Sequence, residues 1–147
     1  MKIYELENLN PLTNSQLKEE TGVIASSDID LREVMNLVSS GQYNSFDEVT
    51  INENTPDETL GKFAKEHSHS DEEVRYFLSG QSIFDVRSYK DHWIRIEVED
   101  KDFITIPANL FHRFFTPDKN VKALRLFSGK EGWVPNYRED TKDVSAV

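Results

Sequence analysis

The sequence predicts a mainly β domain with helices in its N-terminal half. From His67 to Phe127, apolar residues recur with period two in short segments roughly ten residues apart, each bounded by turn-forming residues. Before His67 the recurrence is that of a helix face. The length of 147 residues suits one hydrophobic core.

Taken in order, Asn14 to Gly22 has a polar start and a glycine stop, which predicts a helix. Asp28 to Ser40 places Leu31, Val34, Met35 and Val38 on one helix face, and Gly41 is suited to close it. Glu48 to Ile51 fits a short strand. A third helix is expected to start with Thr55 as N-cap, Pro56 at N1 and Glu58 at N3, a capping box, with Leu60, Phe63 and Ala64 as its apolar face. Strands follow at Glu73 to Ser79, Ser82 to Arg87, His92 to Glu99, Phe103 to Ile106, His112 to Thr116 and Val121 to Phe127. Short strands at this spacing argue a β-sandwich or barrel. The expected layout is one domain: a helical region 1–66 packed on a barrel core 67–128, then a tail 129–147. In that tail Trp133 and Tyr137 are expected to pack back, and Thr141 to Val147 to fray.

Lys and Arg number 17 against 27 Asp and Glu, a net charge of −10. This disfavours nucleic acid and anionic membrane surfaces, because phosphates would meet no basic stripe. No segment approaches the ~18 apolar residues of a membrane span, and Met1 to Glu7 has no apolar signal-type stretch. With no cysteine there is neither disulfide nor thiolate metal site, and the expected address is the cytoplasm.

Histidine is rare, 4 of 147 residues, yet three fall on one frame: His67-x-His69-x3-Glu73, and His112 after the turn Pro107-Ala108-Asn109. On a strand, His67 and His69 point to one face. Six residues of extended chain span roughly 20 Å, too far for His67 and Glu73 to share an ion. Ser70, Asp71 and Glu72 must therefore turn the chain back. Beyond the turn, Glu73 and Arg75 share one face, and Val74 and Tyr76 take the other. Three imidazoles and a carboxylate suit Fe(II), Ni(II), Mn(II) or Zn(II). Four protein ligands on an octahedral ion leave two positions, taken as adjacent, for a substrate that chelates through two oxygens. A redox metal would then let the chelate react with O2. His92 is read as a structural or surface histidine.

Gly61-x5-His67-x-His69-x3-Glu73-x6-Gly80 with Pro107-x4-His112 resembles the two-motif pattern of the cupin superfamily, whose fold is a small double-stranded β-helix barrel. The run Glu66 to Gly80 is narrower and resembles the acireductone dioxygenase family. The likeness continues through Phe84 to Arg87, Asp91 to Ile96, Asp102 to Ala108, His112 to Phe114 and Lys122 to Phe127. It implies a methionine-salvage enzyme, a step of amino-acid biosynthesis, acting on 1,2-dihydroxy-3-keto-5-(methylthio)pentene, a small anionic enediol, with O2. With Fe(II) the implied products are formate and 4-methylthio-2-oxobutanoate; with Ni(II) they are formate, carbon monoxide and 3-methylthiopropanoate. One Fe(II) or Ni(II) is expected per chain, held by His67, His69, Glu73 and His112, which match the family's ligands. Arg75 and Arg125 match positions that hold the substrate's negative charge, and Phe63 and Phe114 match pocket walls. A monomer is expected. The chain departs from the family at Lys101 and Asn109, where glycine is usual, and at His92, where glutamine is usual. The competing readings are another metal-cupin enzyme, an isomerase or a dioxygenase of another enediol or diketone, and a non-catalytic small-molecule-binding cupin. Oxygen uptake separates isomerase from oxygenase, and turnover separates both from a binding barrel.

Overall fold

The period-two segments become the walls of a two-sheet barrel. The structure is a computed structural model, and it describes residues 1–129 and 134–138. In chain order the elements are β1 (Lys2–Glu5), α1 (Asn14–Thr21), β2 (Ile24–Ser26), α2 (Leu31–Ser39), β3 (Ser45–Ile51), α3 (Asp57–Ala64), β4 (His67–Ser68), β5 (Glu73–Ser79), β6 (Ser82–Arg87), β7 (Trp93–Val98), β8 (Phe103–Ile106), β9 (His112–Phe115), β10 (Val121–Phe127) and β11 (Asn136–Tyr137). One sheet runs β1-β7-β6-β9-β4-β11 and the other β2-β8-β5-β10-β3, with antiparallel pairings. This is the mainly β, cupin-type double-stranded β-helix barrel that the sequence predicts.

Alternation sets what fills the barrel. Phe77 of β5, Phe84 and Val86 of β6, Ile94 and Ile96 of β7 and Ile104 and Ile106 of β8 point between the sheets and form one buried cluster. Val74 and Tyr76 take the opposite face of β5, as predicted, and pack with Val34 of α2 and with Leu124 and Leu126 of β10. Two aromatic contacts fix the inner layer: Phe84 lies 4.8 Å from Phe114 and Phe77 6.1 Å from Phe84, centroid to centroid.

The N-terminal region is less helical than expected. It supplies β1 to the larger sheet and β2 and β3 to the smaller one, so it builds the walls as well as packing on them. β3 starts at Ser45, three residues before the predicted strand. On α2, Val34 is buried and Met35 and Val38 are packed, but Leu31, the first residue of the helix, is 43% exposed. The capping box at α3 does not form. Pro56 is the N-cap and makes no side-chain cap bond. Thr55 Oγ1 instead accepts from the Asn52 amide at 3.0 Å, closing a turn upstream. The box forms at α1, where Thr13 accepts from the Gln16 amide and Gln16 Oε1 accepts from the Thr13 amide. β11, unpredicted, places the tail beside β4, and Tyr137 packs back as expected. Trp133 and the stretch from Thr141 to Val147 lie outside the described residues.

Both departures at glycine positions fall in left-handed backbone: Asn109 at φ 67° and Lys101 at φ 67°. Asn tolerates that region; Lys does not, and the strain is of order 1 kcal/mol. Lys101 is held there because its amide donates to Phe77 O at 2.8 Å and its carbonyl accepts from the Ile29 amide at 3.0 Å. Lys101→Gly is expected to raise Tm by a few degrees, a gain of about 0.5–1 kcal/mol once the added freedom of the unfolded chain is counted. A scanning-calorimetry Tm no higher than that of the parent would show that the turn carries no strain.

Candidate metal centre

The bend at Ser70 and Asp71 carries the chain from one sheet to the other. β4, with His67, belongs to the larger sheet, and β5, opening at Glu73, belongs to the smaller. His112 opens β9 directly across the ladder from His67. His69 lies just past β4, where its carbonyl accepts from the Asn109 amide at 2.7 Å. The turn 107–109 therefore seats His69 as well as aiming His112.

The four side chains converge. His67, His69, Glu73 and His112 are all buried, and each offers a donor atom within 4.8 Å of the others'. The ring centroids of His67 and His112 are 4.5 Å apart, and those of His67 and His69 4.9 Å. Two of the rings are fixed by backbone carbonyls. His67 Nδ1 donates to Lys65 O at 2.6 Å and His112 Nδ1 to Leu110 O at 2.8 Å. A neutral ring that donates from Nδ1 keeps its lone pair on Nε2, facing the others. His69 lies between two acceptors, Val134 O at 3.4 Å from Nδ1 and Glu73 Oε1 at 3.0 Å from Nε2. One neutral ring satisfies only one of them.

Charge in the cluster favours a cation. Burial works to raise the Glu73 carboxyl, but Arg75 and the neighbouring imidazoles outweigh it and hold the group well below the usual carboxylate range. Burial, and then His112 beside it, pushes His67 down to about 4. The centre is thus an anionic carboxylate beside His67, whose imidazole is held neutral. His112 Nε2 is buried with no hydrogen-bond partner among the described residues; Glu73 Oε1 lies 3.4 Å away, outside hydrogen-bond geometry. A buried lone pair left unmatched is costly, and a cation between these atoms would satisfy it. It would also free His69 Nδ1–H for Val134 O. The residues fit a divalent metal.

One consequence is a pH dependence of the metal-free protein. The unfolded imidazole takes its proton near 6.5, the folded His67 near 4. Between those values the unfolded chain binds more protons, so stability rises with pH. The contribution of His67 is whole above pH 6.5 and is lost as pH falls to 4, about 3 kcal/mol at full extent. Urea unfolding of the metal-free protein is expected to show that slope, and His67→Ala to flatten it; an equal slope in the variant would assign the dependence elsewhere.

A cavity of about 170 Å³ opens beside His67, His69 and Glu73. Arg75 and Arg125 line it, as do Phe63 and Tyr137. Arg75 is 7% exposed, and its Nε donates to Glu73 Oε2 at 3.1 Å, rather than pairing with Asp71 or Glu72 at the surface. Its guanidinium lies 5.0 Å over the Phe114 ring. Arg125, opposite Arg75 in the β5–β10 ladder, donates from Nε to Asp47 Oδ1 at 2.8 Å, so part of its charge is already offset. Phe63 reaches the cavity, whereas Phe114 lies in the core cluster and lines an adjoining groove against α3. His92 is exposed at the end of the 88–91 turn and is not among the converging residues. A larger cleft, about 340 Å³ beside Ser82 and Glu99, brings together no histidine, so chemistry rather than size marks the centre.

Some contributors were not legible beforehand. Tyr137 comes from β11, its ring 6.0 Å from that of His67. Glu66, immediately before His67, accepts from Arg87 Nε at 2.7 Å and from Arg138 Nη1 at 3.0 Å. Sequence proximity to His67 was the one available sign for Glu66.

Comparison with known proteins covers most of the chain. A family profile described as the ARD/ARD' family matches residues 4–135. The acireductone dioxygenase of Heterostelium pallidum is 41% identical over 143 residues, covering 94% of this chain and 98% of that protein. That of Rattus norvegicus is 51% identical over 83 residues, covering 56% of this chain and 46% of that protein. The solved acireductone dioxygenase of Bacillus anthracis, with cadmium ion in its active center, superposes with a TM-score of 0.80 at 27% identity, covering 92% of this chain and 97% of that one.

Proposed function

The chain belongs to the ARD/ARD' family, and on that premise we propose that it is a metal-dependent dioxygenase that cleaves an acireductone with O2. The observation that carries the proposal is the convergence of His67, His69, Glu73 and His112 on one point, at the edge of a cavity that Arg75 lines. The proposed substrate is 1,2-dihydroxy-3-keto-5-(methylthio)pentene, in methionine salvage. Fe(II) is proposed to give formate and 4-methylthio-2-oxobutanoate, and Ni(II) formate, carbon monoxide and 3-methylthiopropanoate.

His67, His69, Glu73 and His112 would hold the ion, which when bound supplies a Lewis acid and a template for the enediol oxygens. The remaining work belongs to the chain. Arg75 is a cation fixed by Glu73 Oε2 and by the Phe114 face, so an enediolate entering the cavity meets a positive charge that needs no reorganisation. Its placement at a buried site strengthens that attraction over one in water. Arg125, 31% exposed, adds charge nearer the rim, moderated by Asp47. Phe63 and Tyr137 give the methylthio tail an apolar wall and limit water beside the reacting carbons.

The test is metal-reconstituted protein with acireductone in air-saturated buffer. Oxygen uptake with formate release is expected under either metal, with carbon monoxide under nickel alone. No oxygen consumption with either metal, in protein shown to be loaded, would overturn the dioxygenase reading in favour of an isomerase or a binding barrel.

A further inference from the structure

Four residues beyond Val134, whose carbonyl faces His69, the chain carries Arg138, and Arg138 is heavily engaged. Its Nη1 donates to Glu66 Oε2 at 3.0 Å, and its two terminal nitrogens reach both oxygens of Asp91, at 2.7 and 2.9 Å. Its backbone amide donates to Glu66 O at 3.1 Å, extending the ladder in which Asn136 faces Ser68 and Tyr137 faces His67. Arg87 meets the same carboxylate, through Nε at 2.7 Å and Nη2 at 3.2 Å, and donates from Nη1 to the Asp91 carbonyl at 2.9 Å. Two arginines and two acids thus tie three stretches of chain together immediately ahead of His67.

We propose that Arg138 is a positioning residue for the metal centre: by clamping β11 onto β4 through Glu66 and Asp91, it holds the Val134 carbonyl against His69 Nδ1 and Tyr137 against His67. β11 and β4 are each two residues long, and a two-residue ladder has too few bonds to hold itself in place. The bidentate Arg138–Asp91 pair and the shared Glu66 carboxylate supply what the ladder lacks. The acceptor on the outer nitrogen of a ligating histidine orients the ring and raises its basicity, and losing such a partner typically weakens metal binding about 10- to 100-fold. At 3.4 Å the Val134 bond is long, so small displacements of β11 break it. The inference rests on the metal reading of the cluster.

The experiment uses Ni(II) alone as probe, titrated calorimetrically into the metal-free full chain, beside hydrogen exchange of the same samples. Arg138→Ala is expected to raise the Ni(II) Kd about 10-fold and to speed amide exchange at Ser68 and Asn136, which face each other in the ladder, with exchange in β6 and β7 unchanged. Arg138→Lys, which keeps the charge without the fork, is expected to recover part of the affinity. A wild-type Kd in Arg138→Ala, or a loss of affinity accompanied by general unfolding and not relieved by Arg138→Lys, overturns the positioning role. A wild-type chain that takes up no Ni(II) overturns the metal reading itself, and the positioning role with it.

Discussion

His112→Ala is expected to remove metal binding almost entirely while leaving the metal-free barrel folded. The ring is 1% exposed and pinned through Nδ1 to Leu110 O, so the backbone fixes where its Nε2 points. Its Nε2 has no hydrogen-bond partner among the described residues. Deleting it relieves a buried unsatisfied atom at the cost of a small cavity, and these effects oppose each other in the metal-free state. In the loaded state the loss of one of four ligands has no such offset, and at least 100-fold in affinity, about 3 kcal/mol, is expected. Thermal melts read both halves. Saturating Ni(II) is expected to raise the Tm of the parent markedly, by the linkage of binding to folding, and that of the variant hardly at all. A Ni(II)-induced rise as large as the parent's would exclude His112 from the centre.

Arg75→Ala is expected to keep the metal and lose turnover, by about 10²- to 10³-fold in kcat/KM, the range for removing one preorganised charge from a site. The side chain does two things at once. Its Nε holds Glu73 Oε2, and its charge lies on the cavity wall where an enediolate would enter. Arg75→Lys is expected to recover little, since an ammonium lacks the planar face that stacks on Phe114 and the directed Nε donor. Metal analysis beside steady-state kinetics separates the roles. Full metal with lost kcat/KM supports the substrate role, whereas metal lost in proportion to activity would reduce Arg75 to a support for Glu73.

Much of this centre was legible in the sequence because metal chemistry constrains spacing tightly. His67 and His69 needed only the period of a strand. Glu73 needed only the argument that an extended chain overshoots, and the bend at Ser70 and Asp71 is there. The face shared by Glu73 and Arg75 followed from alternation alone. Other features depend on register between distant strands, which local pattern does not encode. Arg125 meets Asp47 because β10 pairs with β3, 78 residues apart in sequence. Arg138 meets Glu66 across 72 residues. The edge strands β1, β2 and β11 are two to four residues long and take their conformation from the neighbour they join, so no local propensity announces them. The Thr55 capping box failed for the opposite reason. The local signal was strong, but a backbone amide on the other side, that of Asn52, took the same hydroxyl.

His67 and His112 stand on one wall of the barrel and Glu73 on the other. An ion gripped by all three would act as a rivet through both walls. Withdrawing it would then loosen both walls at the mouth of the barrel rather than a single strand.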